Sequence, residues 1–169
     1  MSAQEHHLKK GGGDIAMESS SAGLVVPTSE SLDAYKALKI RRTYRALIYK
    51  IENSTSSLEL VQSFKSTTLA DDVLPSLPDT ECRYAVIDVD LTTPDGRPTS
   101  KLWFVTWCPL NATPPSKMAY THAKGALRPH FTGCFDINAD TVSALKVGIG
   151  MIPNDATSRD DSDSEFEDD

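Results

Sequence analysis

The chain has 169 residues and a formal net charge of −7, which is the size of one domain with tails. Residues 155–169 hold eight Asp or Glu against one Arg, so the remaining 154 residues are neutral as a whole. The acidity therefore belongs to the C-terminal tail and does not exclude a basic binding face on the domain. No apolar run has the length of a membrane span, and we expect no nucleic-acid partner.

The first twenty residues predict a disordered extension, because they have almost no apolar side chains. They lack the apolar stretch of a signal peptide, and Met17 is either an alternative start or part of the extension. We expect the domain to occupy residues 21–150 and a disordered acidic tail to occupy residues 151–169.

The apolar pattern between these tails predicts alternating helices and strands. In chain order they are a short helix marked by Leu32, Tyr35 and Leu38, strands at 43–51 and 58–61, a short helix ending at Pro78, strands at 84–91 and 101–108, a long helix from Pro114 and a strand at 134–139. Thr93-Pro94-Asp95-Gly96 is a hairpin turn signal. Strands interleaved with helices favour a three-layer α/β sandwich, a central sheet with helices on both faces.

The long helix carries the clearest functional pattern. At about 100° per residue it divides into an inward face, a cationic flank and an outward strip. The inward face contains Ser116, Tyr120, Ala123 and Leu127. The cationic flank contains Lys117, Lys124 and Arg128. The outward strip contains Met118, Thr121, His122 and Gly125. An exposed Met beside small residues and charge of one sign indicates a docking surface for an acidic partner with an apolar cleft. On periodicity alone, a peripheral helix with a chance basic stripe remains an equal alternative.

The sequence of this helix resembles the actin-binding helix of the actin-depolymerizing factor (ADF)/cofilin family. The matching motif is Ser-Lys-Met-x-Tyr-x-x-x-Lys-x-Ala-Leu-Arg at 116–128. The Trp-Cys-Pro strand end at 107–109 is similar to the family's Trp-x-Pro. Blocks at 42–52, 77–88 and 21–26 resemble the first long strand, the loop with the central strand, and the N-terminal actin contact. Five blocks in order, from about 21 to 140, make the resemblance specific, and plant and algal members look most similar.

The resemblance implies the family's mixed sheet, with its first four strands antiparallel and a final parallel edge strand, and no cofactor. It implies a monomeric cytoplasmic protein of the actin cytoskeleton, with the nucleus as a second location, that binds actin monomers, favours their ADP form and promotes filament disassembly. The implied monomer-site residues are Gly23, Leu24, Lys117, Met118, Thr121, His122, Lys124 and Arg128. Arg97 and Lys101 are the candidates for a filament site, and phosphoinositides are a further candidate ligand of the basic stripe.

The chain also departs from the family pattern. Pro115 and Thr99 replace basic residues, and Gly125 replaces an Asp. Pro129 predicts that the binding helix ends about a turn early, because proline disfavours helical geometry at the residue before it. Residues 142–150 have one cation and two glycines in place of a charged C-terminal helix, which predicts weak filament severing.

Candidate phosphorylation sites lie in both tails. Ser21 is next to the position of the family's regulatory serine, and phosphorylation there would weaken binding to an acidic partner. Ser162 and Ser164 each have an acidic residue three positions on, although the tail is also explained as a solubilising segment. We expect the tail to modulate binding by competing for the cationic flank, and not to support the fold.

The sequence leaves two other classes of function, an enzyme and a module for an actin-related partner. Cys108, His122 and Asp88 are the residues from which a Cys-His-Asp catalytic site would have to be built, but no nucleophile motif surrounds Cys108, so we expect no enzyme. No Cys or His pair in the domain has metal-ligand spacing, and the three cysteines are expected to be reduced. The alternative within the fold is a module that binds an actin-related partner such as the Arp2/3 complex, as glia maturation factor does.

Overall fold

The structure is a computed structural model that describes residues 24–151. Its centre is a six-stranded mixed sheet made of β1 (Val26–Pro27), β2 (Tyr44–Glu52), β3 (Ser57–Lys65), β4 (Arg83–Thr92), β5 (Pro98–Trp107) and β6 (Phe135–Ala139). The strand order is β1-β3-β2-β4-β5-β6, antiparallel from β3 to β5 and parallel at both edges. The predicted antiparallel centre with a parallel final edge strand is confirmed.

Four α-helices connect and cover the strands: α1 (Ser29–Arg41), α2 (Ala70–Val73), α3 (Pro114–Leu127) and α4 (Val142–Gly148). A 3₁₀ turn follows α2 at Leu74–Ser76, and another follows α3 at Arg128–His130. The threonines at 28, 113 and 141 cap α1, α3 and α4, because each hydroxyl accepts the backbone N–H three residues on. Among residues 24–151, no helix is long and apolar enough to cross a membrane.

Each face of the sheet has its own core. On one face, α1 and α3 pack through Leu38, Tyr120 and Leu127 against strand residues such as Tyr84 and Phe104. On the other face, α2 and α4 cover the opposite sides of β2, β4 and β5. The core of this face includes Val73, Leu145, Ile48, Ile87 and Val105. Successive strand residues point to opposite faces, which is why the unbroken apolar runs of β2 and β4 are buried on both sides. The predicted three-layer sandwich is confirmed.

The structure has two elements that were not predicted and a strand that is longer than predicted. β1 was not predicted as a strand, since two residues carry no periodic signal. β3 is nine residues long instead of four, because its polar second half, including Gln62 and Ser63, still pairs with Ile48 and Leu47 of β2. A C-terminal helix does form: Thr141 caps α4, and Leu145 and Ile149, four residues apart, are buried against the sheet.

Candidate functional site

The outer surface of α3 has the predicted division into buried and exposed residues. Tyr120, Ala123 and Leu127 are buried against the sheet, and Ser116 is half-buried at the start of the same side. Met118 is 59% exposed, with no apolar cover from the described residues. A single exposed apolar side chain is common on a protein surface, so Met118 favours a docking role through its position between Lys117 and the exposed strip of Thr121 and His122.

The polar residues of the outward strip modify this surface. Thr121 donates its hydroxyl to the carbonyl oxygen of Lys117 at 2.8 Å, so the strip presents its methyl group more than its hydroxyl. His122 is exposed and borders a groove between α3 and the N-terminal segment. Gly125 is also exposed, and a Cβ added there would meet nothing within 4 Å.

The cationic flank is not the free stripe that the sequence suggested. Lys124 is only 19% exposed at its side chain and forms a salt bridge of 2.9 Å with Asp136 and a hydrogen bond of 3.0 Å with Asn138 of β6. Arg128 donates to the backbone carbonyls of Phe131 and Cys134. Both cations therefore connect α3 to β6 and to the loop before it. The periodicity of the helix sequence carries no information on these contacts.

Lys117 is different from these two cations. Its ammonium donates to the backbone carbonyl of Leu110 at 3.2 Å, an exposed contact with no carboxylate partner among the described residues. Leu110 is itself exposed, so Lys117 and Met118 stand together at the open N-terminal end of α3. Lys117 is therefore the least engaged of the three predicted cations, and it is adjacent to the exposed Met118.

The N-terminal segment lies beside α3. Val25 is buried against the core shared with Ala123, and Val26 is held by a backbone bond to Ser56. This leaves Leu24 55% exposed next to the groove that His122 borders. Gly23, Ser21, Ser162 and Ser164 lie outside the described residues.

The backbone at Arg128 differs from the expectation. Arg128 has φ −54° and ψ −38°, which is right-handed helical geometry, although Pro129 follows it. The chain accommodates the proline by tightening into the 3₁₀ turn at Arg128–His130, and the guanidinium bonds described above hold Arg128 in place. The α-helix itself ends at Leu127, two residues before Pro129, and its shortening relative to the family stays a prediction.

The candidate filament site lies at the opposite end of β5. Arg97, in the β4–β5 hairpin, is exposed and pairs with its neighbour Asp95 at 3.1 Å. Lys101 is exposed and places its ammonium 5.0 Å from the ring centre of Phe135. Lys146, the cation of α4, forms a salt bridge of 3.2 Å with Asp71.

The residues of the hypothetical catalytic site are not brought together. Asp88 pairs with Leu102 in the β4–β5 ladder and bonds to Arg42 at 2.7 Å, whereas Cys108 is six residues farther along β5, about 20 Å away. Burial and the neighbouring Cys82 thiol raise the pKa of Cys108 to about 12, so the thiol is protonated at neutral pH. This arrangement provides no activated nucleophile.

Comparison with known proteins settles the family. The family model described as cofilin/tropomyosin-type actin-binding protein matches residues 23–147, which is most of the chain. The chain belongs to the ADF/cofilin family. The match reaches past Asp140 into α4, so the resemblance extends farther than the sequence motifs indicated.

The relatives of this ADF/cofilin protein include plant proteins of nearly equal domain length. It is 30% identical over 140 residues to actin-depolymerizing factor 1 of Petunia hybrida, covering 83% of this chain and 99% of that one. It is 34% identical over 134 residues to actin-depolymerizing factor 8 of Arabidopsis thaliana, covering 79% and 95%. Cofilin of Streptomyces griseoflavus superposes with a TM-score of 0.66 at 28% identity, covering 75% of this chain and 94% of that one.

The sequence reasoning missed the partners that decide which cations are available. Asp136 and Asn138 engage Lys124 from β6, and Leu110 supports Lys117 from the loop before α3. Lys124 and Asp136 are too far apart in the sequence for a helix or turn pattern to indicate their contact. Leu110 is close enough in sequence to be considered, but an exposed leucine in a loop is common and indicates nothing by itself.

Proposed function

We propose that this protein binds actin monomers through the N-terminal half of α3, and that it promotes filament turnover in the cytoplasm. The observation that carries the proposal is that exposed Met118 stands beside half-buried Lys117, whose ammonium has no carboxylate partner among the described residues, on a helix whose opposite side packs on the sheet. Met118 would enter an apolar cleft of actin, and Lys117 would face acidic groups at its edge. Leu24 and His122 extend the same surface across the groove.

The preference for ADP-bound monomers is part of this proposal and comes from the family resemblance. Lys124 and Arg128 are assigned a different role from the one the sequence suggested. Because their charged groups are engaged with β6 and the preceding loop, we assign them to holding α3 at its angle on the sheet. The same engagement reduces the support for phosphoinositide binding at this flank.

The test is a double substitution, Lys117→Ala with Met118→Ala, assayed by titration against fluorescently labelled ADP-actin and ATP-actin monomers. Losing the burial of one methionine costs about 1.5 kcal/mol or more, so affinity should fall at least about tenfold. The melting temperature should not change, since both side chains are on the solvent side. The matched control is Lys36→Ala with Ile40→Ala, an exposed Lys and an exposed apolar residue on α1. Equal affinities in the two double variants would contradict the proposed interface.

We also propose that filament severing is weak relative to monomer binding. The support is that two of the three cations on the proposed filament side are paired, which leaves Lys101. Lys146, the cation that α4 offers, is paired with Asp71, and Arg97 is paired with Asp95. Exposed pairs of this kind exchange with solvent, but each pairing lowers the charge presented to a filament.

The alternative partner, an actin-related complex, has less support. A likeness to glia maturation factor of Caenorhabditis elegans has 15% identity, which speaks for the fold alone. The retained Lys-Met pair and the N-terminal segment favour actin itself. The monomer titration above separates the two proposals, because a module for another partner would leave actin unbound in the unmodified protein as well.

A further inference from the structure

A second exposed apolar surface lies on the opposite face of the sheet, and α3 takes no part in it. It consists of Lys101, Trp103 and Phe135, which we call the β6 patch. Phe135 is 51% exposed, its ring centre is 5.4 Å from that of Trp103, and the Lys101 ammonium lies 5.0 Å from the same phenylalanine ring. Trp103 pairs with Phe135 across the parallel β5–β6 ladder. The patch combines two aromatic rings in contact, tilted by 41°, with a cation at the edge strand.

The patch is uncovered because α4 stops short of it. The helix packs tightly on Ile137, where a Cβ added to Gly148 would lie 1.9 Å from the Ile137 Cδ1 atom. Phe135 is two residues before Ile137 and therefore points to the same face of the sheet. In the described part of the chain, α4 ends at Gly148 and no other element crosses over Phe135.

The described part of the chain ends on this same face, at Met151. Met151 and Trp103 both pack against the core cluster of this face, and a Cβ on Gly150 would lie 3.4 Å from the Leu91 Cδ2 atom. Leu91 is in β4 and pairs with Thr99 of β5, which lies four residues before Trp103. With about 3.3 Å per residue and 4.8 Å per strand, Phe135 lies about 16 Å from the position of Leu91.

The acidic tail can reach the patch and has the right composition for it. A coil of 15 residues spans about 20 Å on average, so Phe166 comes within range of Phe135 without being fully extended. Phe166 stands between Glu165 and Glu167 in a segment with a net charge of −7. The Phe166 ring is suited to packing on the Trp103 and Phe135 rings, and the flanking carboxylates are suited to pairing with Lys101. Lys101 forms no salt bridge with the residues the structure describes.

We propose that residues 152–169 dock on the β6 patch, with the Phe166 ring on Phe135 and Trp103 and the adjacent carboxylates beside Lys101. The other cationic surface is a poorer partner, because Lys124 already holds Asp136 and Arg128 is bonded to two carbonyls. Lys117 remains there alone, without an aromatic ring next to it. The docked tail would cover Lys101, the candidate for a filament contact. The docking itself does not depend on the proposed function.

The experiment is a ¹⁵N NMR comparison of the full chain with two full-length variants, Phe166→Ala and Lys101→Glu. In both variants the backbone signal of Phe135 and the indole signal of Trp103 should shift, and the tail signals around residue 166 should sharpen. About 0.5 M salt should produce part of the same change in the unmodified chain, because screening then acts within about 5 Å. The shifts should be independent of protein concentration, since the contact is within one chain.

The controls are Ser158→Ala in the tail and Lys36→Glu on α1, which should leave the patch signals in place. Shifts near Lys117 on Phe166→Ala, in place of shifts at the patch, would mean that the tail docks on α3 and would overturn the proposal. Unchanged spectra would overturn it as well. Shifts that grow with protein concentration would assign the patch to a second copy of the chain. Lys101→Glu alters Lys101 itself, so Phe166→Ala decides between these outcomes.

Discussion

The hydroxyl oxygen of Tyr120, on the buried side of α3, accepts a hydrogen bond from the backbone N–H of Ile51 at 3.0 Å. Ile51 is near the end of β2, where neighbouring strands leave this N–H without another partner. The hydroxyl of Tyr84, in turn, donates to the backbone carbonyl of Tyr120. Tyr120 of α3 is thus bonded to two strands. These bonds fix the distance of α3 from the sheet and its rotation about its own axis.

Replacing Tyr120 by Phe should lower the free energy of unfolding by about 1–3 kcal/mol, since the ring is kept but the buried N–H of Ile51 loses its acceptor. Urea denaturation measures this change. Tyr44→Phe is the control, because the Tyr44 hydroxyl makes no hydrogen bond to any described residue and its loss should cost less than about 0.5 kcal/mol. Equal costs for the two variants would mean that the Tyr120 bond is not formed in solution.

Two glycines in helices should respond in opposite directions to alanine. At Gly125 an added Cβ meets nothing within 4 Å, so Gly125→Ala should stabilise the domain by about 0.5–1 kcal/mol through helix propensity. At Gly148 the added Cβ would lie 1.9 Å from Ile137 Cδ1, so Gly148→Ala should be destabilising by about 1–3 kcal/mol. Thermal unfolding of both variants checks the signs. A stabilising Gly148→Ala would mean that α4 is not seated on Ile137.

Lys117 and Lys124 should separate binding from stability. Lys124→Met removes the bridge to Asp136 and should lower stability by roughly 1 kcal/mol, a modest value because Asp136 is partly exposed. Lys117→Met should leave stability unchanged and weaken actin-monomer binding by several-fold. Chemical denaturation and monomer titration of the same two proteins give both quantities. If Lys124→Met weakened binding as much as Lys117→Met at unchanged stability, Lys124 would be a contact residue after all.

The sequence was sufficient for the features that depend on local pattern. The buried and exposed sides of α3 follow from its 3.6-residue periodicity, and Thr113 with Pro114 marks its start. The features that failed depend on pairing across the fold. The second half of β3 is defined by β2, and the pairing of Lys124 with Asp136 depends on where β6 joins the sheet. The helical geometry of Arg128 before a proline depends on carbonyls that only the folded chain places nearby.

The raised pKa of Cys108, about 12 against an ordinary value of 9.0, has consequences for reactivity and for stability. Folded Cys108 should be alkylated by iodoacetamide at pH 8 roughly 10²–10³-fold more slowly than in the urea-unfolded chain, since only the thiolate reacts. Because the folded pKa is the higher one, the stabilising contribution is complete below about pH 9 and is lost as pH rises towards 12. Peptide mapping by mass spectrometry distinguishes Cys108 from Cys82 and Cys134. Equal rates in the folded and unfolded chains would mean that the thiol is solvated.

Filament severing should increase when free charge is added to α4. Ser143 and Ala144 are exposed on this helix, and neither side chain contributes to its cap or to its buried face. Ser143→Arg with Ala144→Lys adds two cations that have no carboxylate partner waiting for them, unlike Lys146 beside Asp71. Filaments imaged by fluorescence microscopy should then be cut more often, and more protein should co-sediment with them.

The matched variant, Ser143→Glu with Ala144→Glu, has the same positions and a similar helix propensity but the opposite charge. It should sever no better than the unmodified protein, because a filament surface that is acidic repels it. Both variants should keep the same affinity for actin monomers, since α4 is on the opposite face of the sheet from α3. Vigorous severing by the unmodified chain at low dose would contradict the proposal of a weak filament site. Equal gains from the cationic and the anionic pair would show that α4 acts through shape and not through charge.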